Sequence, residues 1–418
     1  MMPGKGFELR ESLSGDLGGA LIESVDFDQL AARLARPRGE RDAFDGVRGE
    51  RPSGLEISDE PVTRSRTLHQ LDIGGFGTDL ASRFNGQCHG YVLRLLEPDG
   101  PGLTIQSGKA RAVADGDVDW TPDVRMHVAS VSKLVTAIAA RKALADAGVP
   151  GGTAIYPFLP LYWRRGPNVD QITFDMLLTH RSGFYNPVTD MALYDDLKGQ
   201  VARGALFGVP LGDATYQNVN FGLFRILIPV VTGAIKPSLL APSGKEEDHD
   251  RLWSALAVQS YHDYVQQHVF GPVPVSDAAT ASVPGNALAY QWPMPAAGWD
   301  SGDLSATSAT TGWHLTANEL VRLLHAFTNG AIVPRSDAWA MLEAGWGIDR
   351  KAPTKAGRYF LKDGRWESSN NQLEQAVVGL LPGGLPFALL MNSQFGPDTP
   401  FLINIVAGAI EAHIIAAD

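Results

Sequence analysis

The stretch that decides the fold is Met126-His127-Val128-Ala129-Ser130-Val131-Ser132-Lys133-Leu134-Val135-Thr136-Ala137. Its pattern predicts a helix from about Ser130 to Ala147. Leu134, Val135, Ile138, Ala139 and Ala145 form the buried stripe, and Gly148 is the natural stop. Residues three apart on a helix share a face, with Cβ atoms about 5–6 Å apart. The Lys133 amine therefore reaches the Ser130 hydroxyl. A serine hydroxyl is a weak nucleophile until a neighbouring base takes its proton. At a helix start, the Ser130 N–H and the positive end of the helix dipole also point at a developing oxyanion. For Lys133 to serve as base, burial or a second cation must lower its pKa. Ser-x-x-Lys alone is a weak signal, because a capping serine beside a solvated lysine looks the same. Here it is the one instance among ten lysines, at the onset of a well-patterned helix.

The rest of the chain limits the alternatives. Its 418 residues are 44% apolar and 19% charged, the balance of an ordinary globular enzyme. The net charge of −11, with no clustered Lys and Arg, argues against nucleic acid as a partner. No apolar run approaches the roughly 18 residues of a membrane span, and the first residues lack the apolar core of a signal peptide. A cytoplasmic location is the expectation. Cys88 is the single cysteine, so no intrachain disulfide is possible, and it reads as a small buried filler. His262 and His268 are six apart and do not share a helical face, and there is no His-Glu-x-x-His motif, so no metal site is expected. Gly-x-Ser-x-Gly, Gly-x-Gly-x-x-Gly and Walker-type loops are absent, which disfavours an α/β-hydrolase and any dinucleotide or ATP cofactor. No cofactor of any kind is expected.

Residues 1–65 read as an extension with one short helix, Phe27 to Leu34. The catalytic domain, 66–418, is expected to open with a helix from Leu68 to Phe84. Strands Tyr91–Leu96 and Leu103–Gln106 follow, joined by Glu97-Pro98-Asp99-Gly100. Residues 150–315 form a largely helical insertion, with helices at Phe174–Thr179, Asn220–Val231 and Ser254–His268, and Lys245 to Asp250 as a solvated turn. Near the end, Gln375–Leu381 and Phe387–Met391 flank Pro382-Gly383-Gly384, a hairpin signal. Thr399-Pro400 then reads as the N-cap and first turn of a final helix to about Ile415. The predicted class is α+β: one antiparallel sheet built from both ends of the chain, flanked by helices, with a helical insertion.

A second chemical element is Tyr216-Gln217-Asn218. A phenol held between two cations is able to shuttle a proton between nucleophile and leaving group, and the Asn218 amide is suited to hold a substrate carbonyl. At this point the chain resembles the serine β-lactamase and penicillin-binding-protein superfamily, over about Leu68 to Ile415. It looks closest to the class C β-lactamase-like branch of esterases, D-amino-acid peptidases and acyltransferases. Met126–Ala137 resembles that family's nucleophile helix. Leu177-Leu178-Thr179-His180-Arg181-Ser182-Gly183 is similar to its LLTHxSG segment, in which His180 and Ser182 shape a turn. Tyr216–Phe221 resembles its Tyr-x-Asn loop, and Gly345-Trp346-Gly347 the run before its last motif.

The resemblance implies a third motif, Lys-Thr-Gly or His-x-Gly, on a strand at the site edge. Lys362-Asp363-Gly364 is the best match and makes the Arg365 N–H the second oxyanion donor, although Lys355-Ala356-Gly357 fits the same pattern. Counting back from the Pro382 hairpin places the family register nearer Glu367-Ser368-Ser369. Asp363 stands where the family has a hydroxyl that grips a substrate carboxylate, which argues against a dedicated β-lactamase. The expected activity is hydrolysis of a small-molecule ester or amide through an acyl-Ser130 intermediate. An acyltransferase that passes the acyl group to an amine or alcohol in secondary-metabolite assembly is the first alternative. A D-amino-acid peptidase or β-lactamase, and a catalytically silent scaffold, are the others.

Overall fold

The computed structural model describes residues 56–57, 68–97, 100–185, 192–205, 214–275, 278–293, 297–396 and 400–417. The expected helix at Phe27–Leu34 lies outside these residues, as do Thr399 and the Pro98-Asp99 turn.

An eight-stranded sheet organises the chain. Its strands are β1 (Glu56–Ile57), β3 (Gly90–Leu95), β4 (Leu103–Arg111), β5 (Val118–Asp119), β8 (Arg350–Thr354), β9 (Gly357–Glu367), β10 (Leu373–Leu381) and β11 (Leu385–Met391). The spatial order is β1-β8-β9-β10-β11-β3-β4-β5, so segments from both ends of the chain pair through β11 and β3. All pairings are antiparallel except β1 on β8, which is parallel and brings two residues of the expected extension onto the sheet edge. Two small ribbons complete the strands: β2 (His69–Leu71) with β12 (Ile414–Ala416), and β6 (Met126–His127) with β7 (His314–Leu315).

The sheet is covered on both faces, which is why β10 is buried at every position and reads as apolar from Ala376 to Leu381. On one face, Phe76, Leu80 and Phe84 of α1 (Ile73–Phe84) and Val406 and Ile410 of α10 (Leu402–Ala412) pack on Leu93, Val377 and Leu389. On the other, Val92, Val378 and Leu390 meet α2 (Ser132–Asp146), α8 (Ala317–Thr328) and the helical insertion. The insertion's main elements are α3 (Phe174–Leu178), α4 (Tyr194–Arg203), α5 (Asn218–Gly222), α6 (Phe224–Val231) and α7 (Glu246–Val265). Helix α9 (Arg335–Ala344) returns the chain to the sheet, ending at Gly345 in the left-handed conformation. The hairpin between β10 and β11 turns on Gly383 and Gly384, both at positive φ (85° and 77°), as its Pro-Gly-Gly signal requires.

Several local expectations need correction. Residues 69–71 form a strand rather than the helix start, because Asp72 caps α1 through its carboxylate on the Gly75 N–H. Lys245 to Asp250 is no turn: Glu246, Glu247 and Asp248 form the first turn of α7, where negative charge complements the helix dipole, and Lys198 bridges to Glu246 and Asp250. Asn220–Val231 divides into two helices, α5 and α6. Pro400 does not open the last helix, which starts at Leu402 with Phe401 at its N-cap. Helix α2 has no single stripe. Ser132 to Ala140 are all buried, Ala143 and Leu144 join them, and Ala145 is only half-buried, since the helix runs through the core between sheet and insertion. Cys88 is buried with its Sγ on the Phe84 carbonyl, and burial pushes the thiol pKa up to about 12.

Candidate active site

The turn that carries Ser130 has a strained backbone. Val128 donates to the Trp313 carbonyl beyond the β6–β7 ribbon, and Ala129 then takes a positive φ of 47°. A non-glycine residue in that region costs energy and persists only where its surroundings impose it. Ala129–Val131 forms a 3₁₀ turn, so Ser130 sits just ahead of α2 rather than inside it, and Lys133 is the second residue of that helix. The three-residue offset still closes. The Lys133 ammonium donates to Ser130 Oγ at 3.0 Å and to the Thr310 carbonyl at 3.0 Å, and its side chain is completely buried.

Tyr216 reaches the same oxygen from the insertion. Its O–H donates to Ser130 Oγ at 3.0 Å. The Lys133 Nζ lies 5.1 Å from the centre of its ring and the Lys362 Nζ 5.6 Å, so the phenol stands between two cations. The loop that carries it is held by the LLTHxSG segment. Thr215 N–H donates to the His180 carbonyl at 2.8 Å, and the imidazole stacks on the Tyr216 ring with centroids 4.3 Å apart. Its Nδ1 receives the Gln217 N–H at 3.3 Å and the Asn220 amide at 3.1 Å, while Ser182 bonds Asn220 Oδ1 and receives the Phe184 N–H. His180 itself sits at φ 57°, so this short turn is built for support. Asn218 opens α5 two residues past Tyr216, half-buried.

The third segment comes from β9. A Cβ added at Gly364 would lie 2.3 Å from the Val128 carbonyl and 3.1 Å from the Ser130 N, so only glycine allows this strand against the Ser130 turn. That contact puts Lys362-Asp363-Gly364-Arg365 at the site. Lys355-Ala356-Gly357 lies at the distant β8–β9 turn, where Thr354 pairs with Gly357. Lys362 shares a sheet face with Gly364 and is buried, bonded to Asp349 Oδ2 and, at 2.9 Å, to the Asp363 carbonyl. Burial alone would pull its pKa down. The Asp349 carboxylate, with Tyr216 and Asp363 adding, outweighs burial and holds it above the ordinary lysine range. Asp349 is likewise opposed by burial, yet Lys362 and the Asp363 N–H hold it well below the usual carboxylate range. The Arg365 side chain does not face the site: it meets Glu367 at 3.4 Å and lies over the Phe401 ring.

Two features went unread in the sequence. Asp349 lies just past the Gly345-Trp346-Gly347 run, a polar residue in a segment otherwise leading into a strand. His127 and Glu374 form a fully buried pair behind the nucleophile, Nδ1 to Oε2 at 2.7 Å, with His127 Nε2 on Thr311 Oγ1 at 2.9 Å. Glu374 stood outside the strand expected from Gln375 onward, and with Gln372 and Gln375 on either side of Leu373-Glu374 the local sequence reads as polar. Burial holds Glu374 well above the usual carboxylate range and takes His127 down to about 3. Burial, with His127 beside it adding, lowers His314 to about 4. Among the described residues no group of three or more His, Cys, Asp or Glu is arranged to hold a metal ion. No helix there is long and apolar enough to cross a membrane.

A serine hydroxyl against a buried lysine and a tyrosine sits on a sheet-and-insertion frame of the β-lactamase type. The β-lactamase family profile matches residues 101–246, which include Ser130, Lys133 and Tyr216. The fold is that of the serine β-lactamases and penicillin-binding proteins. A D-amino acid amidase from Ochrobactrum anthropi SV3, complexed with D-phenylalanine, is 19% identical over 81% of this chain and 96% of its own, with a TM-score of 0.57. A β-lactamase/D-alanine carboxypeptidase from Pseudomonas syringae is 14% identical, covering 82% and 98%, with a TM-score of 0.59. The octameric penicillin-binding protein homologue from Pyrococcus abyssi is 16% identical, covering 81% and 78%, with a TM-score of 0.58. No curated protein sequence matches the chain. Nothing in these likenesses singles out the class C-like branch.

Proposed function

We propose that the protein is a serine acyl-enzyme hydrolase of small-molecule esters or amides. The observation that carries this reading is the convergence of Lys133 Nζ and Tyr216 OH on Ser130 Oγ, each at 3.0 Å, beside a strand packed on the nucleophile's own backbone. In the acylation step, the Ser130 proton passes to the deprotonated partner of the Lys133–Tyr216 pair as Oγ attacks the carbonyl carbon. The oxyanion is received by the backbone N–H groups of Ser130 and Arg365, with Asn218 holding the substrate carbonyl region. Tyr216 then protonates the leaving group, and in deacylation accepts a proton from water. The chemistry requires no metal or organic cofactor.

The test is covalent labelling. A fluorophosphonate should add one adduct mass to a peptide containing Ser130, and Ser130→Ala should lose both the adduct and p-nitrophenyl ester turnover while keeping its melting temperature. Label on another residue, or normal turnover by Ser130→Ala, sinks the reading. Because similar folds include a D-amino acid amidase and a D-alanine carboxypeptidase, D-amino acid amides belong in the first amide panel.

Acyl transfer is the second reading, supported by the apolar wall next to the nucleophile. Leu304 and Trp366 cluster with Ala129, and Trp299 packs on them, an arrangement suited to keeping water from an acyl-serine. Added amines or alcohols should then divert product from acid to amide or ester. An unchanged product distribution removes this reading.

A further inference from the structure

Lys362 is the cation that β9 turns toward the nucleophile turn, and an anionic group beside a reacting carbonyl would be drawn to it. Its charge is already matched inside the protein. Asp349, just past the Gly347 turn, forms an ion pair with Lys362 Nζ and accepts the Asp363 N–H at 3.1 Å. The lysine side chain is 1% exposed and the aspartate side chain 16%, so the aspartate is the more exposed member of the pair. Because Asp349 is bonded to the Lys362 ammonium, a substrate carboxylate drawn to Lys362 is repelled by Asp349 at the same time, in a setting where water screens little. Asp363 adds to the negative side of this balance. The Arg365 side chain brings no compensating positive charge, because it is turned to Glu367.

We propose that Asp349 is a specificity-determining residue: it neutralises Lys362 from within, so that Ser130 accepts esters or amides without a carboxylate near the reacting carbonyl and discriminates against donors that carry one. This rests on the acyl-serine reading of the site. It separates the chain from enzymes that anchor a substrate carboxylate on a free lysine at this strand.

The experiment compares methyl 3-acetoxybenzoate with 3-acetoxybenzoate, two esters that differ by a carboxylate on the leaving group, by release of the phenol. The wild type should favour the neutral ester in kcat/KM by about tenfold or more. Asp349→Asn should narrow the ratio to within about threefold, mainly through a lower KM for the charged ester, because the charge of Lys362 is then unmatched. Asp349→Glu, which keeps the charge, should retain the wild-type preference. Equal use of both esters by the wild type overturns the proposal, whatever the variants do. So does an Asn ratio that stays at the wild-type value, or a Glu ratio that moves as far as the Asn one. Fluorophosphonate labelling of Ser130 in the wild type is run in parallel. Absence of label with no turnover of either ester refutes the acyl-serine reading itself, whereas label with the wrong ratio refutes only the role of Asp349.

Discussion

At the scale of single residues, the site is an arrangement of two groups around one oxygen. Ser130 Oγ has Lys133 Nζ and Tyr216 OH at equal distance, so each is placed to take its proton. Removing either should be costly. Lys133→Ala is expected to slow acylation at least about a hundredfold, the typical worth of a positioned acid or base, in single-turnover measurements of ester cleavage. Tyr216→Phe keeps the ring between the two ammonium groups and the stack on His180, and removes only the hydroxyl. Its expected effect is a similar loss of turnover with an unchanged melting temperature. Near-normal rates from both variants would exclude the proposed proton path.

At the scale of elements, the decisive contact is strand against turn. The Gly364 Cα leaves no room for a methyl group beside the Val128 carbonyl, and strand and turn each hold part of the proposed oxyanion site. Gly364→Ala must therefore push β9 away from Ser130 or distort the positive-φ turn at Ala129. The expected outcome is a loss of about 1–3 kcal/mol in stability, as for other overpacked sites, with a disproportionate drop in Ser130 labelling rate. Thermal melts and labelling kinetics on the same samples check both parts. Full labelling at the wild-type rate would show that the strand does not shape the site.

At the scale of the whole molecule, buried titratable groups behind the site couple stability to pH. His127 and His314 have folded pKa values of about 3 and about 4, below the usual 6.5, so the unfolded chain binds their protons first as pH falls. Stability is therefore lost from about pH 6.5 downward. Glu374 works in the opposite sense. Its folded pKa is raised, so the stability linked to its neutral form is fully present below the ordinary carboxylate range and is lost as pH rises through the folded value. With two histidines against one acid, the melting temperature should fall between pH 6.5 and 4. The slope should be shallower in His314→Gln and steeper in Glu374→Gln. A wild-type melting temperature that is flat across this range contradicts the assignment.

The sequence alone carried whatever depends on spacing within an element. Ser130 and Lys133 meet because three residues make about one turn of helix, and β10–β11 pairs because Pro-Gly-Gly dictates a tight reversal between two apolar segments. The helical insertion and the sheet drawn from both ends were legible for the same reason. Choosing between Lys362 and Lys355 was not, because both fit one local pattern, and the close approach of Gly364 to Ser130 joins residues 234 positions apart. Nor was Asp349, a residue with no motif of its own until β8 and β9 bring it onto Lys362. Periodicity encodes geometry along one element. Which charges neutralise each other is decided where elements from distant parts of the chain pack and exclude water.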